Sequence, residues 1–107
     1  MKTQQGEHSN GVSWKSTYDE NGNQLTYEDS YGYSWKKTYD DRGNELTYFD
    51  SYGFHRTRTY DSNENVLTYH DSDNFSWKST YDENGNQLTY DDNNGFSWKV
   101  KTNETNP

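Results

Sequence analysis

Large rings and small polar residues alternate along this chain with a period of two, and the alternation restarts every 21 residues. Tyr33, Trp35, Lys37 and Tyr39 interleave with Ser34, Lys36, Thr38 and Asp40, the pattern of a β-strand with one ring-bearing face. A stretch of turn composition follows, Asp40-Asp41-Arg42-Gly43-Asn44. Leu46 and Tyr48 then alternate with Glu45, Thr47 and Phe49 as a second strand. This unit begins at Ser13, Ser34, His55 and Ser76 and breaks off after Ser97. One hairpin cannot bury its own apolar side, so it must stack on copies of itself. The chain has no Ala or Ile and no apolar residues at three-and-four spacing, which leaves little room for helix. The pattern predicts an all-β protein, an antiparallel up-and-down meander of hairpin repeats in a single domain. A cap (1–12) precedes repeats at 13–33, 34–54, 55–75 and 76–96, and a half repeat with a tail (97–107) ends it.

Turn chemistry predicts the register. Asn21-Gly22 and Asn84-Gly85 suit type I′ hairpins, which set Tyr18 opposite Leu25, Thr17 opposite Thr26 and Lys15 opposite Glu28. Asp29-Ser30-Tyr31-Gly32 suits a type I turn with a left-handed Gly, setting Tyr27 opposite Trp35 and Leu25 opposite Lys37. All large rings then share one face, and a one-residue slip would move half of them into water. About nine strands are expected from this pattern, or ten if Gln4 to Ser9 adds one at the start. Pairing drifts by about two residues per repeat, so the sheet is expected to roll or coil, even to a barrel-like form, or to bury its ring face in a homodimer.

Composition sharpens this picture. Hydrophobic residues are only 25% of the chain, but aromatics are 18%, and rings bury enough area each to hold a fold when they share a surface. Cys is absent, so neither disulfides nor thiolate metal sites can staple it. The N-terminal residues lack the apolar run of a signal peptide, and a cytoplasmic protein without a membrane segment is expected. A net charge of −8 argues against direct nucleic-acid binding and favours a basic protein partner.

Tyr39-Asp40-x-x-Gly43-Asn44-x-Leu46-Thr47, with Asp50 and Gly53 after it and Tyr60-Asp61 opening the next unit, resembles the YD repeat of RHS proteins. The likeness runs from residue 13 to 102. In that family many repeats wind into a hollow shell around a toxin; here only the hairpin geometry is implied, because the copies are too few to enclose anything. The unit is also similar to short Tyr-Asp-x-x-Gly-Asn repeats of phage and bacterial proteins and, more loosely, to MORN-type scaffold repeats.

The third copy departs from the others. Arg56 stands at the Trp position with Arg58 on the same face, His55 replaces Ser, Glu64 replaces the turn Gly, and Asp73-Asn74 replace Tyr-Gly. The register puts Tyr48 between Lys37 and Arg56, and Arg58 between Leu46 and Tyr69. Cation-π contacts are expected there, with Asp50 and Asp71 as counter-charges. On the opposite face Phe49 falls beside His55 with His70 one diagonal step away. Phe49, His55, Arg56, Arg58 and His70 are therefore the candidate partner-binding residues. Trp14, Trp35, Trp77 and Trp98 suit either core packing or stacking on sugars. Asp19-Glu20-Asn21-Gly22-Asn23 faintly resembles a calcium loop, but turn chemistry explains it and no metal site or cofactor is expected. The three His are scattered and no nucleophile motif recurs, so no catalysis is expected. Three functions stay open. One is a protein-binding module or small acidic inhibitor of phage origin; the others are a self-assembling unit of a virion or filament, and a glycan binder.

Overall fold

Every turn of this chain solves the same steric problem in the same way. Asp19 N–H donates to Asn23 O at 2.9 Å and Gly22 N–H to Asp19 O at 3.1 Å, closing the loop Glu20-Asn21-Gly22 with Gly22 at φ +86°. This is a type I turn followed by a left-handed residue, and the same hydrogen bonds recur at Asp29, Asp40, Asp50, Asp61, Asp71 and Asp82, while at Asp92 the N–H bond to Phe96 O is kept. Asn21-Gly22 and Asn84-Gly85 thus do not make the expected type I′ turns, which need left-handed backbone at both residues; only the glycines have it. The aspartates drive the choice. Asp19 Oδ1 accepts the N–H groups of Asn21 and Asn23 at 2.9 Å each, and Asp29 Oδ1 accepts those of Tyr31 and Tyr33.

The computed structural model describes residues 1–101 as one antiparallel sheet whose strands follow chain order. They are β1 (Lys2–Glu7), β2 (Ser13–Tyr18), β3 (Gln24–Asp29), β4 (Ser34–Tyr39), β5 (Glu45–Asp50), β6 (His55–Tyr60), β7 (Val66–Asp71), β8 (Ser76–Tyr81), β9 (Gln87–Asp92) and β10 (Ser97–Lys99). The rest of the predicted tail lies outside the described residues. Strand β1 ends at Glu7 because His8 to Gly11 form its turn.

Thr17 faces Thr26, Lys15 faces Glu28 and Tyr27 faces Trp35, as the turn spacing predicts. Tyr18 pairs with Gln24, however, and Leu25 is an extra residue in a β-bulge; Leu46, Leu67 and Leu88 are extra in the same way. The three-residue loop adds a residue relative to a two-residue hairpin, and the bulge absorbs it, so the ring face stays in phase. The first three bulges are each tied to the next repeat. The hydroxyls of Tyr39, Tyr60 and Tyr81 donate to the carbonyls of Gln24, Glu45 and Val66 at 2.6, 2.6 and 2.8 Å.

The sheet does not close into the barrel-like form that was one expectation, since β1 and β10 lie at opposite ends of it and do not pair with each other. The slab measures 65 × 31 × 21 Å with a radius of gyration of 18.8 Å. A compact chain of this length would have about 13 Å. Closure would seal Lys37, Glu45, Arg56 and Arg58 inside, a costly desolvation that the open form avoids. Val12 is the one buried hydrophobic residue among those described; Ser16, Asp50, Asp71 and Ser79 are the buried polar ones.

Candidate functional site

The pairing puts every strand-borne large ring on one face except Phe49. On that face the rings lean along the sheet and cover one another. Tyr27, Trp35 and Tyr48 form one ladder with successive centroids 6.2 Å apart, and Tyr69, Trp77 and Tyr90 form a second at 6.2 and 5.8 Å. Tyr33, Phe54, Phe75 and Phe96 lean in from the turns at 5.8–6.1 Å. The ladder tyrosines are anchored at their polar ends: Tyr27, Tyr48, Tyr69 and Tyr90 each donate to the Asp two residues on. Burial pushes the Tyr48 hydroxyl well above its ordinary value, and its hydrogen bonds with Tyr33 and Asp50 push the same way.

The two ladders are joined by cations. The Arg56 guanidinium lies 4.5 Å from the Tyr48 centroid, Arg58 lies 5.6 Å from that of Tyr69, and Lys37 Nζ lies 4.7 Å from Trp35. Their counter-charge is Glu45, a correction to the expectation of Asp50 and Asp71. Arg56 binds its carboxylate through Nε and Nη2 at 2.8 and 3.1 Å, Arg58 through Nη1 at 3.1 Å, and Lys37 approaches to 3.5 Å. Asp50 and Asp71 are occupied as turn caps instead. Burial pushes the Glu45 carboxyl up, but the Arg56 hydrogen bonds and the charges of Arg56, Lys37 and Arg58 outweigh it and hold the pKa below its ordinary value.

Glu45 was missed from sequence, although a signal was present. On the ring face, the side chain two residues after Trp lies within reach of the first residue after the Asn turn on the neighbouring strand. In the outer copies this pair is Ser16–Gln24 and Ser79–Gln87, joined by hydrogen bonds of 2.8 and 2.7 Å. In the second copy it becomes Lys37–Glu45 and in the third Arg58–Val66. The positions change together, and the lone Glu sits where all three cations can reach it.

The five candidate residues divide between the faces. Arg56 and Arg58 belong to the ring face, while Phe49, His55 and His70 lie on the reverse. Phe49 is 53% exposed and stacks on His55 at 6.4 Å with an interplanar angle of 10°, opposite Lys36; His70 pairs with Thr57 one strand further on. The rest of the reverse face is polar, including hydroxyl pairs such as Thr17–Thr26 and Thr38–Thr47 at 2.6 Å. Trp14, Trp35 and Trp77 are half-buried, whereas Trp98 at the edge is 38% exposed. In the Asp19 loop the carboxylate accepts two backbone N–H groups and the Asn23 side-chain amide, so its oxygens serve the turn. Neither a protein-family model nor a curated protein sequence matches the chain.

Proposed function

We propose that the chain is a non-catalytic protein-binding module that takes a basic segment of its partner onto the ring face. The observation that carries this reading is the internal cation cluster. Lys37, Arg56 and Arg58 lie over rings and against a carboxylate, yet their side chains stay 26–29% exposed. The same face therefore has the chemistry to hold guanidinium groups from outside. The outer copies offer the ring and amide parts of that arrangement without a resident cation. A hollow of about 450 Å³ in the fourth copy is lined by Trp77, Tyr81, Gln87, Tyr90, Phe96 and Trp98. A net charge of −8 would draw a basic partner toward it, which also suits a small acidic inhibitor that occupies a basic cleft.

Tryptophan fluorescence titrated with an arginine-rich peptide, and with an oligoglutamate control, tests this. Binding is expected for the cationic peptide alone, and Trp98→Ala and Trp77→Phe are each expected to weaken it several-fold. If both variants bind as the parent does, the ring face is not the site.

A further inference from the structure

The two ends of the sheet are finished differently. At the start, β1 covers the first Trp: the Trp14 indole lies so close over Gly6 that a Cβ there would sit 3.0 Å from its ring, and His8 adds a second ring 6.2 Å away. At the other end, β10 repeats the opening Ser-Trp-Lys of β2 and stops. Phe96, Trp98 and Val100 remain 60%, 38% and 45% exposed. Strand β2 has β1 on one side and β3 on the other; β10 has only β9 among the described residues.

The internal repeat says what belongs on the vacant side. Across β2 and β3, Trp14 faces Asp29, Lys15 faces Glu28 and Ser16 faces Tyr27. Strand β1 is the counterpart of β3, because Gly6 faces Trp14 as Tyr27 faces Trp35, and Glu7 faces Ser13 as Glu28 faces Ser34. Laying β1 of another copy along β10 in this register puts His8 against Trp98, Glu7 against Lys99 and Gly6 against Val100. Each pairing is complementary: a ring on a ring, opposite charges, and an aliphatic side chain beside a residue with none. All of β1 and β10 is solvent-exposed, and among the described residues no strand pairs with the outer side of either.

We propose that the outer edge of β10 takes the outer edge of β1 from a second copy in this register, so that copies join head to tail. Such a contact is heterologous and leaves a free edge at each end of the assembly, so it grows instead of closing as a pair. The interface is small, in the weak and transient class, and it acts within the net negative charge of both copies.

Sedimentation equilibrium of the full chain, from about 10 μM to about 1 mM at ~0.15 M salt, tests this. The average mass is expected to exceed 12.7 kDa and to keep rising with concentration. Lys99→Glu and Glu7→Lys are each expected to restore the monomer mass, and the combined E7K/K99E variant to recover the rise. A parent that stays monomeric, a plateau at two copies, or charge reversals without mutual rescue would each overturn the proposal. The edge contact covers Trp98 but not Trp77, so Trp77→Phe in the peptide titration reads the ring face separately.

Discussion

Replacing Glu45 by Gln keeps the shape of the side chain and removes the charge that holds three cations together. Glu45 makes three charge-assisted bonds at 2.8, 3.1 and 3.1 Å and a looser contact with Lys37 at 3.5 Å. Bonds to ionised groups contribute about 1.5–3 kcal/mol each; Gln leaves the cations one neutral acceptor oxygen and turns an NH2 group toward the rest, so the change forfeits roughly 1 kcal/mol per bond. The three cations are 26–29% exposed, and solvent screening reduces the total. A loss of about 2 kcal/mol remains, which for a chain of this size lowers the thermal midpoint by roughly 10 °C. The same chain with Lys37→Ser, Glu45→Gln, Arg56→Trp and Arg58→Ser is expected to recover the loss. Those changes install the Ser–Gln pair of the outer copies and fill the gap between the ladders with a ring, and apolar packing commonly matches or exceeds a half-buried ion cluster. Urea unfolding followed by tryptophan fluorescence measures both variants. A cost below about 0.5 kcal/mol for Glu45→Gln would show the cluster to be an ordinary screened surface network and refute the reasoning.

Acid should unfold the protein through its corners. Backbone N–H bonds from Asn23, Asn44, Asn65 and Asn86 hold Asp19, Asp40, Asp61 and Asp82 below the ordinary value of 3.8, and Glu45 is held below 4.5. A carboxyl depressed on folding contributes stability that is present above its unfolded pKa and lost as pH falls through the folded one. The midpoint measured by circular dichroism is therefore expected to hold steady above pH 4.5 and drop below about 3.8; a flat profile down to pH 2 would contradict the capping role. On the reverse face, Phe49→Ala removes a half-exposed ring and its stack on His55, at a cost of about 1 kcal/mol or less. It is expected to leave binding of the arginine-rich peptide within two-fold of the parent, whereas a large loss would move the site to the face with His55 and His70.

The architecture was legible because ring alternation and turn residues agree. Both place Thr17 against Thr26 and Tyr27 against Trp35, and the structure keeps both pairs. The bulge at Leu25 was not legible, since two errors cancel there. A type I′ turn and a type I turn with one bulged residue give the same pairing beyond Thr17, and only the left-handed backbone of Gly22 alone tells them apart. The placement of Phe49 beside His55 and of Arg56 beside Tyr48 followed from register. The counter-charge did not, because which carboxylate an arginine reaches depends on side-chain direction. Asp71 pairs with Arg56 across the sheet and Asp50 ends the neighbouring strand, but both are already committed to their turns.

A single layer with so little buried apolar area raises the question of what holds it. Its accessible surface of 7761 Å² exceeds the roughly 6,200 Å² of a compact protein of its mass, and among the described residues contacts join only strands that are neighbours in the chain. Stability must therefore accumulate from one hairpin to the next, as in linear repeat proteins, with no distant layer to compensate for a weak unit. Under that constraint the third copy is the critical one. It lacks the ring of the other copies at Arg56, and its turns place Glu64 and Asn74 at φ 70° and 65°, angles that every other turn gives to glycine. Without a bridge the chain would divide into two short aromatic ladders. Glu45 and its three cations supply that bridge, and because they use charge where the outer copies use a ring, they also leave a polar, water-accessible seam across the middle of the face proposed to bind.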